Sequence, residues 1–293
     1  MKIAYLILAH KNEQQLLLLM EMLLEGNNHL FIHIDAASDE TFSRVRAWGK
    51  TDDHIHILED SFAVKWGAFS FTLAIISLLN ACQCSEIKFD FISTLSGQDL
   101  PLKSNEEIAL FLSKNKTAQF VEYNSLPYNS WNGNGGLDRV NYFWLIDELG
   151  FNDAFRFVEQ QKKESIVRIA PSTLTSHGGS CWFTITSDLL QYICEFLEEH
   201  WEAIYSYFRY TFISDEILLQ SIILNSPFRE EVINNNLRYV DWSSGPEFPK
   251  ILTVDDCESL KKTKNHFARK FDTEVDSEVI EYIKNTFSNH TLT

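Results

Sequence analysis

The 293-residue sequence lacks several features by which common protein classes are recognised. No uncharged apolar run is long enough to cross a membrane, and the best candidate, residues 69–81, is short enough to be a buried helix. No Gly-x-Gly-x-x-Gly follows the first predicted strand, so the usual dinucleotide-binding fingerprint is absent. The five cysteines are odd in number and have no framework spacing, which argues against a secreted disulfide scaffold.

Positive charge is also scarce, and its distribution is informative. The formal net charge of −16 opposes binding to nucleic acid or to an anionic membrane surface, so no nucleic-acid partner is expected. One window, LKKTKNHFARK at 260–270, holds five Lys or Arg and no Asp or Glu. This local reversal of charge is a candidate anion site, although we interpret Lys261, Lys262 and Lys264 as a solvated helix face.

Composition predicts a globular protein, because hydrophobic residues make up 45% of the chain and aromatic residues 13%. The start, MKIAYLILAHKNE, has only a short apolar stretch that ends in His-Lys-Asn, which is typical of a first strand rather than of a signal peptide. We therefore predict a cytoplasmic protein. No linker or repeat divides the chain, so we predict one catalytic domain over 1–293, with a nucleotide-binding half at 1–124 and an acceptor-binding and catalytic half at 125–293.

Hydrophobic patterning predicts alternating strands and helices in the first half of the chain. The predicted strands are 2–8, 29–35, 54–58 and 89–95, and the predicted helices are 13–24, 39–48 and 67–81. Farther along, we predict a turn-rich surface loop at 126–136, a strand at 178–185 and a helix at 188–208. This order predicts an α/β fold with a mostly parallel central sheet flanked by helices.

The most informative stretch is FDFISTLSGQDLPLKS at 89–104. An apolar run, predicted to be a buried strand, ends in a polar turn that contains Ser96, Gln98 and Asp99. Open α/β sheets bind their ligands at the carboxyl ends of strands, so these three residues are candidates for contact with a donor or an acceptor. The alternative for Asp99 is that it caps its own turn.

Several motifs resemble those of the core-2/I-branching β-1,6-N-acetylglucosaminyltransferases and peptide xylosyltransferases (glycosyltransferase family 14). LSGQDLPLK resembles the family's Leu-Ser-Gly-x-Asp-x-Pro-[Leu/Ile]-Lys. Seven further segments follow the family's order: AYLILAHKN, FIHID, VKWGAFS, GGSCWF, SDE (without the family's Pro), LRYVDW and HFARKFD. The chain is identified on these motifs as a soluble, bacterial-type member.

The resemblance implies a GT-A-like fold and transfer of a sugar from a UDP donor with inversion, without a metal. The sequence contains no Asp-x-Asp, the motif by which most GT-A enzymes hold a divalent metal. Positive charge must then stabilise the leaving phosphate by other means, and Arg238 and Lys270 occupy the family's two basic positions. The alternatives are an exposed edge-strand position for Arg238 and an ion pair with Asp272 for Lys270.

By resemblance, the general base that inversion requires is Glu216. Ser214 is predicted to be an N-cap, which places Asp215 and Glu216 in a first helical turn, where acidic residues also stabilise a helix through its dipole. Adjacent helical residues point about 100° apart, so only one of the two carboxylates is expected to face the acceptor.

Other predicted contacts follow from positions that correspond to the family's motifs. We expect His10, Asp35 and Trp66 to bind the nucleotide, and Ser96, Gln98, Asp99, Glu122 and Trp182 to touch the donor sugar or the acceptor. A core anchor is an equally supported alternative for Trp66, and simple packing is the alternative for Trp182. His33 is expected to be a structural histidine.

UDP-GlcNAc is the expected donor, with UDP-xylose left open. The expected acceptor is a glycan hydroxyl, including one on a lipid-linked glycan at the inner side of a membrane, with peripheral membrane association but no membrane span and no metal cofactor. Two other classes stay open: a catalytically inactive homologue that binds sugar nucleotides, and a non-enzymatic interaction module.

Overall fold

The computed structural model describes residues 1–171, 174–245 and 248–287. The strands are β1 (Ile3–Ala9), β2 (His29–Ile34), β3 (Ile55–Ile57), β4 (Phe91–Ser96), β5 (Leu100–Pro101), β6 (Gln119–Val121), β7 (Asn124–Ser125), β8 (His177–Gly178), β9 (Phe183–Thr186), β10 (Val232–Ile233), β11 (Arg238–Val240) and β12 (Phe267–Arg269). The α-helices are α1 (Glu13–Leu23), α2 (Ser43–Gly49), α3 (Phe69–Gln83), α4 (Asn105–Ser113), α5 (Asn132–Gly135), α6 (Leu137–Asn141), α7 (Ile146–Leu149), α8 (Phe151–Lys163), α9 (Ser187–Phe208), α10 (Leu218–Leu224), α11 (Cys257–Lys262) and α12 (Ser277–Phe287). Shorter 3-10 helices span Ala36–Thr41, Ser214–Glu216, Arg229–Glu231 and Val254–Asp256.

The large sheet has seven strands in the order β10-β6-β9-β4-β1-β2-β3. β9 pairs antiparallel with β4 and β6, and the other neighbouring pairs are parallel. The predicted α/β architecture with a mostly parallel central sheet flanked by helices is confirmed. The predicted helices at 13–24, 67–81 and 188–208 are confirmed with ends shifted by at most two residues.

Helices cover both faces of the sheet, and for this reason β1 is buried along its whole length. Ile3, Tyr5 and Ile7 of β1 pack in the core with α1, α4 and α12, whereas Leu6 and Leu8 pack in a second core with α3, α9 and α10. Each fully buried Leu or Ile stabilises the fold by about 1.5–3 kcal/mol. A sheet buried on two faces explains the near-continuous apolar runs of the sequence.

Two local predictions are wrong, and one is refined. The predicted helix at 39–48 is broken at Phe42, whose backbone leaves the helical region and whose side chain is fully buried. The predicted strand at 178–185 divides into β8 and β9, with a bend between them. The turn-rich loop at 126–136 contains the short helix α5, in which Gly133 and Asn134 have left-handed backbone angles.

A small sheet of three strands, β11-β12-β5, joins the end of the chain to the large sheet. β12 pairs antiparallel with β5, which directly follows the polar turn after β4. The N–H of Phe271 also donates to the carbonyl of Gln98 at 2.9 Å. These contacts bring Arg269 and Lys270 beside the 96–99 turn, although about 170 residues separate them in sequence.

Candidate active site

The carboxyl edge of the large sheet collects most of the predicted site residues. β1 ends just before His10, β2 just before Asp35, and β6 just before Glu122. Because β9 runs antiparallel to its neighbours, Cys181 and Trp182, which precede it, reach the same edge. This is the edge at which open α/β sheets bind ligands.

The 96–99 turn is a closed hydrogen-bonded unit at this edge. The Ser96 hydroxyl donates to Asp99 Oδ1 at 2.6 Å and accepts from the N–H of Gln98 at 3.2 Å. Asp99 Oδ1 also accepts from Arg269 Nε at 3.1 Å. All three predicted residues of the turn are buried, and Asp99 organises the turn as the alternative proposed. Their contact with donor or acceptor stays a prediction.

Cationic side chains gather beside this turn, and we call His10, Lys11, Arg269 and Lys270 the cation group. Desolvation, followed by the charges of Arg269 and Lys11, lowers the pKa of Lys270. His10 is exposed at the surface, but neighbouring protein partly desolvates its ring. Desolvation, followed by the charges of Lys270 and Lys11, lowers the pKa of His10. Positive charges held close together in this way favour the binding of an anion, which would offset their mutual repulsion. Asp272, the alternative partner of Lys270, pairs with Lys11 at 2.5 Å.

Arg269 is the site residue that the sequence analysis missed. Its guanidinium carbon lies 4.6 Å from the centroid of the Trp182 ring, and its Nε binds Asp99. The only signal in the sequence was its place beside Lys270 in the basic window. Trp182 is 5% exposed and meets Phe71 edge to face, so packing is the role that the structure gives it. Stacking of Trp182 on a sugar stays a prediction.

Arg238 lies in the interior, against the middle of the sheet. Its Nη2 donates to Ser93 Oγ and to the Thr94 carbonyl at 2.7 Å, and its Nη1 donates to Thr184 Oγ1 at 3.0 Å. With 5% of the residue exposed, Arg238 is not the surface residue of the stated alternative. The predicted contact with the donor diphosphate is untested, and the burial of Arg238 among protein acceptors weighs against it.

On the nucleotide side, Asp35 is held by backbone amides. Its Oδ1 accepts from the N–H of Ala37 at 2.8 Å, and its Oδ2 accepts from the N–H of Val64 at 3.3 Å. The Asp35 N–H itself donates to the Ala9 carbonyl at 2.8 Å. Asp35 therefore joins the ends of β1 and β2 to the segment that precedes α3, and only 8% of the residue is exposed.

Trp66 is 51% exposed, so it is not the buried core anchor of the stated alternative. Its ring centroid lies within 6.0 Å of three phenylalanine rings: Phe151, Phe212 and Phe248. Lys270 Nζ lies 6.0 Å from the centroid of the Phe248 ring. The exposed face of Trp66 thus belongs to an aromatic wall that reaches the cation group.

A separate set of carboxylates lies in the 3-10 turn Ser214–Glu216. The predicted N-cap role of Ser214 is wrong: the cap is Ile213, in a left-handed conformation, and the Ser214 hydroxyl is 2.6 Å from Thr72 Oγ1. Asp215 points inward, and burial followed by the Glu216 charge raises its pKa to about 7. The Glu216 side chain is 31% exposed, and its Oε2 lies 2.7 Å from Arg139 Nη1. Of the two carboxylates, only that of Glu216 is partly exposed, and its contact with an acceptor stays a prediction.

Glu122 lies near this turn, and we call Glu122, Asp215 and Glu216 the acid group. Its Oε2 accepts from Asn236 Nδ2 at 2.8 Å, and burial together with Glu216 raises the pKa of Glu122. Gly179 fixes the spacing, since its N–H donates to the Glu216 carbonyl at 2.9 Å and a Cβ there would lie 2.0 Å from the Glu122 carbonyl oxygen.

The two charged groups meet around the buried thiol of Cys181. Burial raises the pKa of Cys181, the charges of Asp215 and Glu216 raise it further, and Arg269 lowers it. Across residues 1–171, 174–245 and 248–287, no cluster of three or more His, Cys, Asp or Glu is placed to hold a metal ion. A separate open depression of about 520 Å³ lies between α3 and β3, and none of the predicted site residues lines it.

The carboxyl edge of the sheet thus carries basic side chains and a partly exposed carboxylate, which are group types that can stabilise a developing negative charge and accept a proton. A family model described as "Branch: Core-2/I-Branching enzyme" matches residues 3–266. The chain therefore belongs to the core-2/I-branching glycosyltransferase family. In the part of the chain that the structure describes, no helix combines the length and apolarity needed to span a bilayer.

The sequence identity between this chain and individual relatives is low. The chain is similar to xylosyltransferase 2 of Rattus norvegicus (24% identity over 305 residues) and xylosyltransferase 1 of the same species (21% over 302 residues). These alignments cover 96% and 95% of this chain but 33% and 34% of the relatives, so the chain spans about a third of their length. Mouse xyloside xylosyltransferase 1 in its apo form has a TM-score of 0.35 and 12% identity, covering 92% of this chain and 97% of that one.

Proposed function

We propose that the protein is an inverting, metal-independent glycosyltransferase that moves a sugar from a UDP donor onto a glycan hydroxyl. The observation that supports the proposal is that Glu216 and Arg269 both contact the segment 179–182 before β9. The N–H of Gly179 donates to the Glu216 carbonyl at 2.9 Å, and the Arg269 guanidinium carbon lies 4.6 Å from the centroid of the Trp182 ring. An inverting transfer needs a base and a leaving-group stabiliser on opposite sides of the anomeric carbon.

In the proposed reaction, Glu216 accepts the proton of the acceptor hydroxyl while the hydroxyl oxygen attacks the anomeric carbon. The bond from that carbon to the β-phosphate oxygen breaks, and its electron pair leaves with UDP. Lys270 and Arg269 face the charge that develops on the diphosphate, with the permanent cation of Arg269 anchored on Asp99. Arg269 replaces Arg238 in this proposal, because Arg238 is committed to protein acceptors.

For the nucleotide, we keep Asp35 and His10 at the strand ends and the exposed face of Trp66 as the proposed contacts. UDP-GlcNAc was the donor expected from the motifs. UDP-xylose is the second candidate, and the names of the xylosyltransferase relatives favour it. A lipid-linked glycan as acceptor and a cytoplasmic location remain proposals.

The first experiment is calorimetric titration of UDP into the protein in excess EDTA, with ADP and GDP as controls. Selective binding of UDP supports the proposal, and binding only after Mn²⁺ is added would overturn metal independence. UDP release from UDP-GlcNAc and from UDP-xylose, with a panel of oligosaccharide acceptors, then identifies the donor. Failure to bind any nucleotide would favour the interaction module.

A further inference from the structure

One side chain outside the predicted set contacts the proposed base directly. Arg139, on α6, places Nη1 2.7 Å from Glu216 Oε2, in a pair whose side chains are 17% and 31% exposed. Most surface ion pairs contribute little, because solvent screens them and both side chains stay mobile. The contrast within this chain is Arg156 with Asp153, whose side chains are 81% and 61% exposed.

The Arg139 guanidinium stacks on an aromatic ring. Its carbon lies 3.8 Å from the centroid of Trp131. Trp131 in turn fits against two glycines, since a Cβ on Gly136 or Gly178 would come within 2.6 Å of its ring. A guanidinium that is stacked on a ring and partly removed from solvent is held there by cation–π attraction.

The backbones of the two charged residues are also tied to common neighbours. The Arg139 carbonyl accepts from the N–H of Phe212 at 3.1 Å, and the next N–H, of Ile213, donates to Gly67. The Glu216 N–H donates back to the Ile213 carbonyl at 3.2 Å. The backbone contacts of Arg139 and Glu216, the Trp131 ring and the 3-10 turn therefore hold the ion pair in place.

We propose that Arg139 is the positioning residue of the general base, which holds Glu216 Oε2 so that Oε1 is presented to the acceptor hydroxyl. This inference rests on the proposed role of Glu216. Among the described contacts, the hydrogen bond of the Glu216 carboxylate uses Oε2, which leaves Oε1 for the acceptor. A base that is itself oriented by a third group is the general logic of activated catalytic residues.

Arg139 also offsets the negative charge around Glu216. The groups that face this carboxylate are Asp215 on its own turn, Glu122 from the end of β6 and Cys181 before β9, with Arg269 beyond the thiol. Loss of Arg139 is thus expected to leave these neighbours without a counter-charge and to release the Glu216 carboxylate from its fixed position.

The test compares Arg139→Met and Arg139→Lys with the matched surface variant Arg156→Met. For Arg139→Met we expect kcat to fall about 100-fold, with little change in the KM for the donor. Arg139→Lys should restore part of kcat, and Arg156→Met should match the wild type. Trp131→Leu should give a smaller fall in kcat than Arg139→Met.

The results separate this inference from the proposed function. UDP affinity at the wild-type level confirms that each variant is folded, and Arg139→Lys serves if Arg139→Met is not. A wild-type kcat in Arg139→Met, with Glu216→Gln inactive, overturns the role of Arg139 alone. An active Glu216→Gln enzyme overturns the base assignment, and the role of Arg139 with it.

Discussion

The cation group and the acid group at the sheet edge differ in how the chain builds them. The cations sit at the ends of paired strands, β1 and β12, where ladder hydrogen bonds fix the backbone. The acids sit on a 3-10 turn that begins at a left-handed Ile213 and on the residue after β6. Each group is desolvated by burial and also keeps like charges together, and both effects lower the pKa of Lys270 and raise the pKa values of Asp215 and Glu122. Each side is thus prepared for a different ligand charge.

The largest effect is expected from a substitution in the acid group alone. Glu216→Gln removes the proposed base with little change of shape, so we expect transfer to fall by about 10²–10⁴-fold. UDP binding depends on the cation side and should persist. The measurement is UDP release together with calorimetry, and the matched control is Glu258→Gln, at a 72% exposed side chain. Full activity of Glu216→Gln would contradict the assignment.

A substitution at Arg238 tests whether this residue stabilises the fold or binds UDP. Arg238→Met removes the buried hydrogen bonds that the guanidinium donates to Ser93, Thr94 and Thr184, and a hydrogen bond to a charged group contributes about 1.5–3 kcal/mol. We expect a clear loss of stability, measured by thermal unfolding with and without UDP. A variant that keeps its Tm but loses UDP binding would instead support the contact with the diphosphate predicted from the motifs.

Lys270→Met should weaken the cation side without affecting the acids. A charge-assisted contact contributes about 1.5–3 kcal/mol, so we expect UDP affinity to fall by about 10–100-fold. Lys261→Met is the control, because Lys261 lies on an exposed helix and pairs with Glu258. Equal losses in both variants would mean that UDP senses only the general charge of the basic window.

The pH dependence of UDP binding gives a subtler contrast. Because the pKa of Lys270 is lowered in the free protein, its charge is lost at a lower pH than that of an ordinary lysine. UDP affinity should therefore begin to fall below the usual titration range of lysine as the pH rises. Calorimetry between pH 7 and pH 10 measures this, and Lys270→Arg should flatten the curve.

The smallest expected effect concerns Asp215. Its pKa is raised from 3.8 to about 7, so the folded state holds a proton that the unfolded state has lost over this interval. Stability from this group is present at low pH and falls as the pH rises through the interval. We expect the Tm of wild type to fall more between pH 5 and pH 8 than that of Asp215→Asn. Parallel curves would show that Asp215 is ionised throughout.

The fold and part of the site could be predicted because they depend on local patterns. Apolar runs that end in polar residues marked β1, β2 and β4, and so located His10, Asp35 and Ser96 at one edge. The direction of a strand side chain depends on register, and a shift of one residue moves it to the other face. Arg238 was assigned to the site by its place in a motif, and the motif does not show that its side chain packs against the sheet. Arg269 had no signal beyond its place in the basic window.

The acid turn was beyond sequence reasoning for a different reason. Ser214 before two acids is the usual pattern of an N-cap, but the left-handed Ile213 and the bond to Thr72, which is 142 residues away, override it. The pairing of Arg139 with Glu216 likewise joins residues 77 positions apart. Tertiary contacts of this kind leave no local pattern. The division at 124/125 and the cytoplasmic location remain predictions.

The two ion pairs at the charged edge of the sheet bear on how much the protein must move during a reaction. Arg269 is paired with Asp99, and Glu216 is paired with Arg139, so each of the two proposed reacting charges has a counter-ion of its own. Both side chains are therefore held in place before any substrate arrives, and little protein rearrangement is needed during the reaction.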